Sequence, residues 1–365
     1  MSQPSPGSYA PPGDRWGAFK SFAKELPTAC LAVVDRTVAS KHPRVLKALK
    51  AKRDRTVLVL EAGEQAKSFA VLEKVLEAGA HLPRSATLVC VGGGTLGDLS
   101  TVAAHLFKRG IRLIQVPSTL LAAVDSSLGG KGAVDLHVGR RIIKNAAGVF
   151  HYAAESWLCP ELFETLPPQQ LREGAIEAWK KAICLDAVLF ESIQKRPPSL
   201  QTLIREARRM KAEVCAEDPY ERSGLRAVLN FGHTFGHVIE SASRFKVSHG
   251  DSVGLGILCA LDVGRAMKIT SAPLAERIER ALEMGPGLLG REAMAKALSR
   301  IDVKGVGQIL AADKKAERVG EVRMVLLRAP AQTERVVVAP ILWKRLFKDW
   351  QAGRKPVVRA LRRPK

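Results

Sequence analysis

What the chain lacks narrows it first. Its 365 residues contain no run of about 18 apolar residues, so no membrane-spanning helix is expected. Met1 to Asp14 is rich in Pro, Ser and Gly, with neither a basic start nor an apolar centre; no secretory signal is read there, and a cytoplasmic location is expected. Cysteine is sparse and unpaired in sequence. Cys30, Cys90, Cys159, Cys184, Cys215 and Cys259 form no CxxC pair, which excludes a disulfide scaffold and leaves buried, reduced thiols. Aromatic residues are 5% of the chain and form no recognisable aromatic-interleaved RNA-binding motif. No internal repeat is present either, which sets solenoids aside.

Acid is the scarce sign of charge. There are 36 Asp+Glu against 57 Lys+Arg, a net charge of +21, and such an excess points to anionic partners. It is densest from Lys344 to Lys365, where Lys344, Arg345, Lys348, Arg354, Lys355, Arg359, Arg362, Arg363 and Lys365 face one acid, Asp349. A charge run of this kind reads as a solvated basic tail, and nucleic acid is not the expected partner. The remaining composition, 46% hydrophobic and 25% charged, is that of a globular chain with a full core.

Four apolar runs lie early in the chain: Ala29 to Asp35, Thr56 to Leu60, Ala86 to Val91 and Ile111 to Val116. Their length and β-branched content suit parallel strands buried on both faces. Helix-length stretches at 44–52, 68–79 and 99–108 separate them. The order predicts an open α/β sheet with ligand sites at strand ends. Past Pro167 long helical patterns dominate, at 169–184, 198–216, 228–243, 252–267 and 274–284, with one hairpin over 321–327 and 334–338. The expected organisation is a Rossmann-like α/β domain over 1–166, a mostly α-helical domain over 167–350 and a basic tail over 351–365.

The strand ending at Val91 runs into Gly92-Gly93-Gly94-Thr95-Leu96-Gly97-Asp98, with a helix expected from Leu99. Gly92, Gly94 and Gly97 satisfy GxGxxG, whose missing Cβ atoms let backbone N–H groups approach a pyrophosphate. The usual ribose-holding acid about 20 residues on is missing. Asp35 and Glu64, at the ends of the first two strands, are the substitutes. His233 and His237 stand four residues apart, His249 follows sixteen after His233, and Glu173 and Glu177 share a helical face with Lys180 beyond. Imidazole with carboxylate is the ligand set of a catalytic divalent metal, Zn²⁺ first. Spacing alone leaves open which of these bind. Asp125-Ser-Ser-Leu-Gly-Gly-Lys131 and Lys144-Asn145 read as glycine-rich loops whose lysines suit phosphate.

Taken together, GGGTLGDL (Gly92–Leu99), KRGIRLIQVPSTLLAAVDSSLGGK (Lys108–Lys131), KNAAGVF (Lys144–Phe150), TLPPQQLREGAIEAWKKAI (Thr165–Ile183), KAEVCAED (Lys211–Asp218), GLRAVLNFGHTFGH (Gly224–His237), HGDSV (His249–Val253) and DKK (Asp313–Lys315) resemble 3-dehydroquinate synthase and its sugar-phosphate cyclase relatives. The resemblance implies an NAD-binding first domain, a metal-binding helical second domain and a homodimer. It makes Glu177, His233 and His249 the Zn²⁺ ligands, with Co²⁺ as an alternative metal, and His237 a substrate-side histidine. Asp125, Lys131, Asn145, Lys180, Lys211, Arg226 and Asn230 match substrate-contacting positions, joined by Lys144 and by Lys314 or Lys315. Arg109 matches an arginine that reaches the partner subunit's phosphate. Asp35, Glu64, Lys67, Gly93, Gly94, Asp98 and Thr119 match the NAD side.

The implied reaction belongs to aromatic amino acid biosynthesis and starts from a phosphorylated seven-carbon keto acid, DAHP. A hydroxyl is transiently oxidised by NAD⁺, the neighbouring C–H becomes acidic, phosphate leaves by elimination, the hydride returns, and an intramolecular aldol step closes the ring. This chain departs from the family where Gly132-Ala133-Val134-Asp135 replaces Thr-Gly-Val-Asn, where the stretch before Lys144 is longer, at Asp251 in place of Glu, and at Lys181 in place of Tyr. Most of these changes lie on the substrate side. The alternatives are therefore a cyclase acting on sedoheptulose 7-phosphate or another sugar phosphate, a metal-dependent polyol dehydrogenase on the same fold, and a non-enzymatic scaffold or nucleic-acid binder using the tail.

Overall fold

The structure is a computed structural model that describes residues 16–52, 55–139, 141–312 and 322–356. It divides into two compact units, one of residues 1–174 with 211–220 and one of 175–210 with 221–365. The division falls inside the helix Pro168–Leu185, past the boundary expected at 166/167, and returns residues 211–220 to the first unit.

The first unit carries strands β1 (Cys30–Asp35), β2 (Thr56–Leu60), β3 (Thr87–Gly92), β4 (Arg112–Pro117), β5 (Lys131–Val138), β6 (Arg141–Phe150) and β7 (Glu155–Ser156). Five of them form a parallel sheet in the order β2-β1-β3-β4-β7. Every residue of β1 and β3 is buried because both faces are covered. Ala32, Val34, Val89 and Val91 pack with Phe19, Phe22, Val45 and Trp157 on one side. Leu31, Val33, Leu88 and Cys90 pack with Leu72, Val75, Leu96 and Leu99 on the other. Two covered faces are what a continuous apolar run demands. From the adjacent β1 and β3 the order runs outward in opposite directions, so the crevice beyond their carboxyl ends is the expected ligand position. Asp35 and Gly92 close those two strands.

The second unit is mostly helical, with the antiparallel hairpin β8 (Val322–Ala329) and β9 (Gln332–Val338) as expected. The helix His249–Ala266 is buried along nearly its whole length and forms the centre of one large core. All six cysteines are buried free thiols. Among the described residues no helix is long and apolar enough to cross a membrane.

Three expectations are corrected. The stretch 228–243 is not one helix: a 3₁₀ turn over Leu225–Asn230 stops at Phe231, and the α-helix restarts at His233 after Gly232, whose φ is 81°. Lys131, Lys144 and Asn145 stand on the hairpin β5–β6, not on loops. The basic run from Lys344 is not wholly a tail. Pro340–Gln351 is an amphipathic helix that buries Leu342, Trp343, Leu346, Phe347 and Trp350 while Lys344, Arg345 and Lys348 stay exposed. Net charge hid a 3.6-residue apolar period. The tail's Arg359, Arg362, Arg363 and Lys365 lie outside the described residues.

Candidate functional site

Helix Gly94–Leu106 begins at Gly94 with Gly93 as its cap, not at Leu99. Glycine is a poor helix former, so the sequence reads this stretch as a turn. Crowding explains the glycines. None of the four has a positive φ. A Cβ on Gly92 would stand 3.0 Å from Leu96 Cβ, on Gly93 3.1 Å from Thr119 Cγ2, on Gly94 3.1 Å from Ser126 Oγ, and on Gly97 3.0 Å from Gln115 Oε1. The helix start is thereby pulled tight onto the strand ends, with its unpaired first N–H groups at the crevice.

Around this turn the structure gathers the other nucleotide-side residues of the first unit. Lys67, almost fully buried, pairs with Asp98 at 2.7 Å and donates a short hydrogen bond to Asn145 Oδ1. Burial pushes the Asp98 carboxyl above its ordinary value against the pull of Lys67. Glu64 is exposed and pairs with Lys144 at 3.0 Å. Asp35 accepts the Thr37 N–H at 2.7 Å and so caps a helix, and burial raises its pKa. Lys211 Nζ reaches both the carbonyl and the carboxylate of Asp125, each at 2.8 Å. Lys131 opens β5 in an exposed position. Arg109 is exposed in a left-handed turn, with φ 47°, 66° and 110° over Lys108 to Gly110.

The second unit builds its site from side chains. Glu177 lies on Pro168–Leu185, His233 opens His233–Ala242, and His249 opens His249–Ala266 under a Ser248 cap. Glycines let these three helices close on one another. A Cβ on Gly256 would stand 2.0 Å from the Gly232 carbonyl, and one on Gly254 3.1 Å from Ile176, the neighbour of Glu177. In consequence one ligand atom from each of Glu177, His233 and His249 falls within 4.8 Å of the others. His237 is beside them, its ring centroid 5.6 Å from His233 and 6.2 Å from His249, but outside that set.

The chemistry of this donor set fits a divalent cation. Glu177 is 2% exposed, and neither of its oxygens accepts a well-directed hydrogen bond. Lys180 Nζ lies 2.6 Å from Oε2 as an ion pair, while Oε1 is 3.8 Å from His233 Nε2. Two neighbours were not assigned to the site from the sequence, Lys181, noted there only as a departure from the family, and Glu240. Lys181, buried, stands 3.8 Å from Glu177 Oε2, and Glu240 Oε2 stands 3.5 Å from His249 Nδ1. Glu240 was findable: it sits two turns after His233 on the same helix. Burial alone would lower the His249 pKa, but the Glu240 and Glu177 carboxylates hold it above its ordinary value. A carboxylate behind a ligating imidazole fixes ring orientation. Arg226, buried, and Asn230 share the 3₁₀ turn just before His233. Lys314 and Lys315 lie outside the described residues.

The N-terminal family model of 3-dehydroquinate synthase matches residues 57–173, and its C-terminal model matches 174–316. The chain belongs to the 3-dehydroquinate synthase family. It is 38% identical over 275 residues to the 3-dehydroquinate synthase of Methylacidiphilum infernorum (isolate V4), covering 74% of each. It is 36% identical over 323 residues to that of Acidithiobacillus ferrooxidans (strain ATCC 53993 / BNL-5-31), covering 84% of this chain and 85% of that one. Among solved structures, a 2-deoxy-scyllo-inosose synthase complexed with carbaglucose-6-phosphate, NAD⁺ and Co²⁺ superposes with a TM-score of 0.78 at 24% identity, over 93% of this chain and 96% of that one. That likeness is one of fold, and it matches the expected sheet domain and helical domain.

Proposed function

We propose that the chain is a 3-dehydroquinate synthase, a cytoplasmic carbon–oxygen lyase that converts DAHP to 3-dehydroquinate with elimination of inorganic phosphate. The reading is carried by the convergence of Glu177, His233 and His249 within the stretch matched by the C-terminal family model. These three residues would hold a Zn²⁺ or Co²⁺ ion, whose contribution when bound is Lewis-acid polarisation of a substrate hydroxyl. NAD⁺, taken at the Gly92–Asp98 turn, supplies the hydride acceptor.

The chain's own residues do the rest. Lys180 occupies Glu177 Oε2 and leaves Oε1 for the cation. Asp125 holds Lys211 by two contacts, so that its ammonium is presented in a fixed place to an anionic substrate. Lys131 and Lys144 add positive charge for the phosphate and carboxylate of the substrate. Arg226, Asn230 and His237 flank the metal ligands as substrate contacts. Arg109, exposed on its turn, is free to reach the substrate phosphate of a second subunit in a homodimer. The deciding experiment is phosphate release measured side by side on DAHP and sedoheptulose 7-phosphate with NAD⁺ and Zn²⁺. Turnover of DAHP is expected. Turnover of the sugar phosphate alone would replace this reading with the other cyclase, and oxidised product without phosphate would replace it with a polyol dehydrogenase.

A further inference from the structure

The hairpin β5–β6 contains an irregularity that the function above does not use. Val134 pairs with Ala147 and Leu136 pairs with Ile143. Between those pairs a single residue of β5, Asp135, faces three of β6: Lys144, Asn145 and Ala146. A bulge bends a strand and re-aims its side chains, and this one carries two residues of the proposed substrate site. Asn145 within it has φ 53°, a left-handed conformation uncommon outside glycine that asparagine adopts more readily than most residues.

What holds it is Asp135. Asp135 is 3% exposed, and its carboxylate accepts the Asn145 N–H at 2.8 Å. Its own N–H donates to the Lys67 carbonyl at 2.7 Å. Lys67 in turn bonds Asn145 Oδ1 and pairs with Asp98, while Lys144 pairs with Glu64. The ring Asp135–Asn145–Lys67–Asp135 is therefore closed by three contacts, two of them to the backbone of Asp135 or Asn145. It joins the bulge to Lys67, Asp98 and Glu64 on the nucleotide side of the same unit. We propose that Asp135 is a positioning residue that fixes the Lys144–Asn145 bulge and thereby couples the substrate strand to the nucleotide-side residues. This inference rests on the proposed reaction for its kinetic consequences, though not for its structural one.

The role requires an acceptor of the right reach at position 135 and not a negative charge. Asp135→Asn should therefore work and Asp135→Ala should not. In Asp135→Ala the KM for DAHP is expected to rise about tenfold and the NAD⁺ dissociation constant by a similar factor, with kcat changed less than about threefold, since ground-state positioning is what is lost. Asp135→Asn is expected to restore both constants to within about threefold of the parent protein. If Asp135→Ala fails to fold, Asp135→Ser, which keeps an oxygen too short to reach the Asn145 N–H, carries the same expectation. Hydrogen exchange at the Asn145 amide reads the clamp without substrate or cofactor, and protection should fall in the Ala or Ser variant and return in the Asn variant. Unchanged protection in Asp135→Ala, unchanged KM and NAD⁺ affinity, or an Asn variant as impaired as the Ala variant would each overturn the proposal. Lost protection in a protein whose parent never turns over DAHP would instead fault the proposed reaction and leave the clamp standing.

Discussion

The nucleotide turn and the metal cluster are built by opposite means. At Gly92–Asp98 the backbone is the instrument, and what counts is that four positions carry no side chain where one would press to 3.0–3.1 Å against Leu96, Thr119, Ser126 or Gln115. At Glu177, His233 and His249 the side chains are the instrument, and the glycines work one layer behind, at 232, 254 and 256, to bring the helices together. A backbone site is contiguous in sequence because a strand and the helix it feeds are covalently joined. A side-chain site is scattered because its members meet only when separate helices pack.

The largest effect should come from the side-chain site. Glu177→Gln is expected to lose the bound metal, measured by elemental analysis, and to cut phosphate release about a thousandfold, the scale of several kcal/mol of Lewis-acid stabilisation. Full metal occupancy in that variant would break the comparison. Next is Gly232→Ala. A Cβ there would stand 2.6 Å from Ile257 Cγ1 and 2.8 Å from the Val253 carbonyl, at a φ of 81°. We expect about 2–4 kcal/mol of lost stability in urea unfolding, together with weaker metal binding, although no ligand was touched. Gly97→Ala should weaken NAD⁺ binding about tenfold, by displacing the helix start from Gln115, while metal content stays unchanged. A change in metal content with intact NAD⁺ affinity would reverse the assignment of the two regions.

Two smaller effects test the region beyond both sites. Glu279 binds Arg291 at 3.1 Å and Lys355 at 2.9 Å. Burial pushes its carboxyl up, but Lys355 and Arg291 outweigh burial and hold it below its ordinary 4.5. A folded pKa below the unfolded one gives stability that is present above pH 4.5 and lost as the pH falls through the folded value. The parent should exceed Glu279→Gln by about 0.5–1 kcal/mol at pH 7, with the gap closing in acid; a gap constant from pH 7 to 3 would contradict this. Removing residues 357–365 should leave activity and melting temperature unchanged. A cut at 351 should not, since Gln351 donates to the Leu298 and Ile301 carbonyls and Lys355 holds Glu279.

The helix ends show what was legible beforehand and what was not. The strands β1, β3 and β4 were plain because a strand covered on both faces must be apolar throughout, whereas β2, at the edge of the sheet, is only half-buried despite its equally apolar run. The hairpin β8–β9 was legible from its two short β-rich runs, MVLL and RVVV. The hairpin β5–β6 was missed: glycines at 129, 130, 132 and 139 mark it as a loop, and only its packing on helix 94–106 reveals that Gly132 is a close approach. A Cβ on Gly132 would stand 2.4 Å from Thr101. The break at Gly232 was missed because a helical period continues across it.

Composition and local order thus determined that this chain would make a parallel sheet followed by helices, because burial on two faces and an amphipathic period are written in neighbouring residues. Motif spacing nominated Glu173, Glu177, three histidines and a set of lysines, but it left open which of them meet. The family resemblance assigned Glu177, His233 and His249 as the metal ligands with His237 apart, and the folded chain brings a ligand atom from each of the three within 4.8 Å of the others. Only the fold decided that the basic run after Pro340 is half a docked helix and that Asp135 holds Asn145. Each of those depends on the distance between residues far apart in the chain, and such distances are set by which side chains are absent from the helix contacts as much as by which are present.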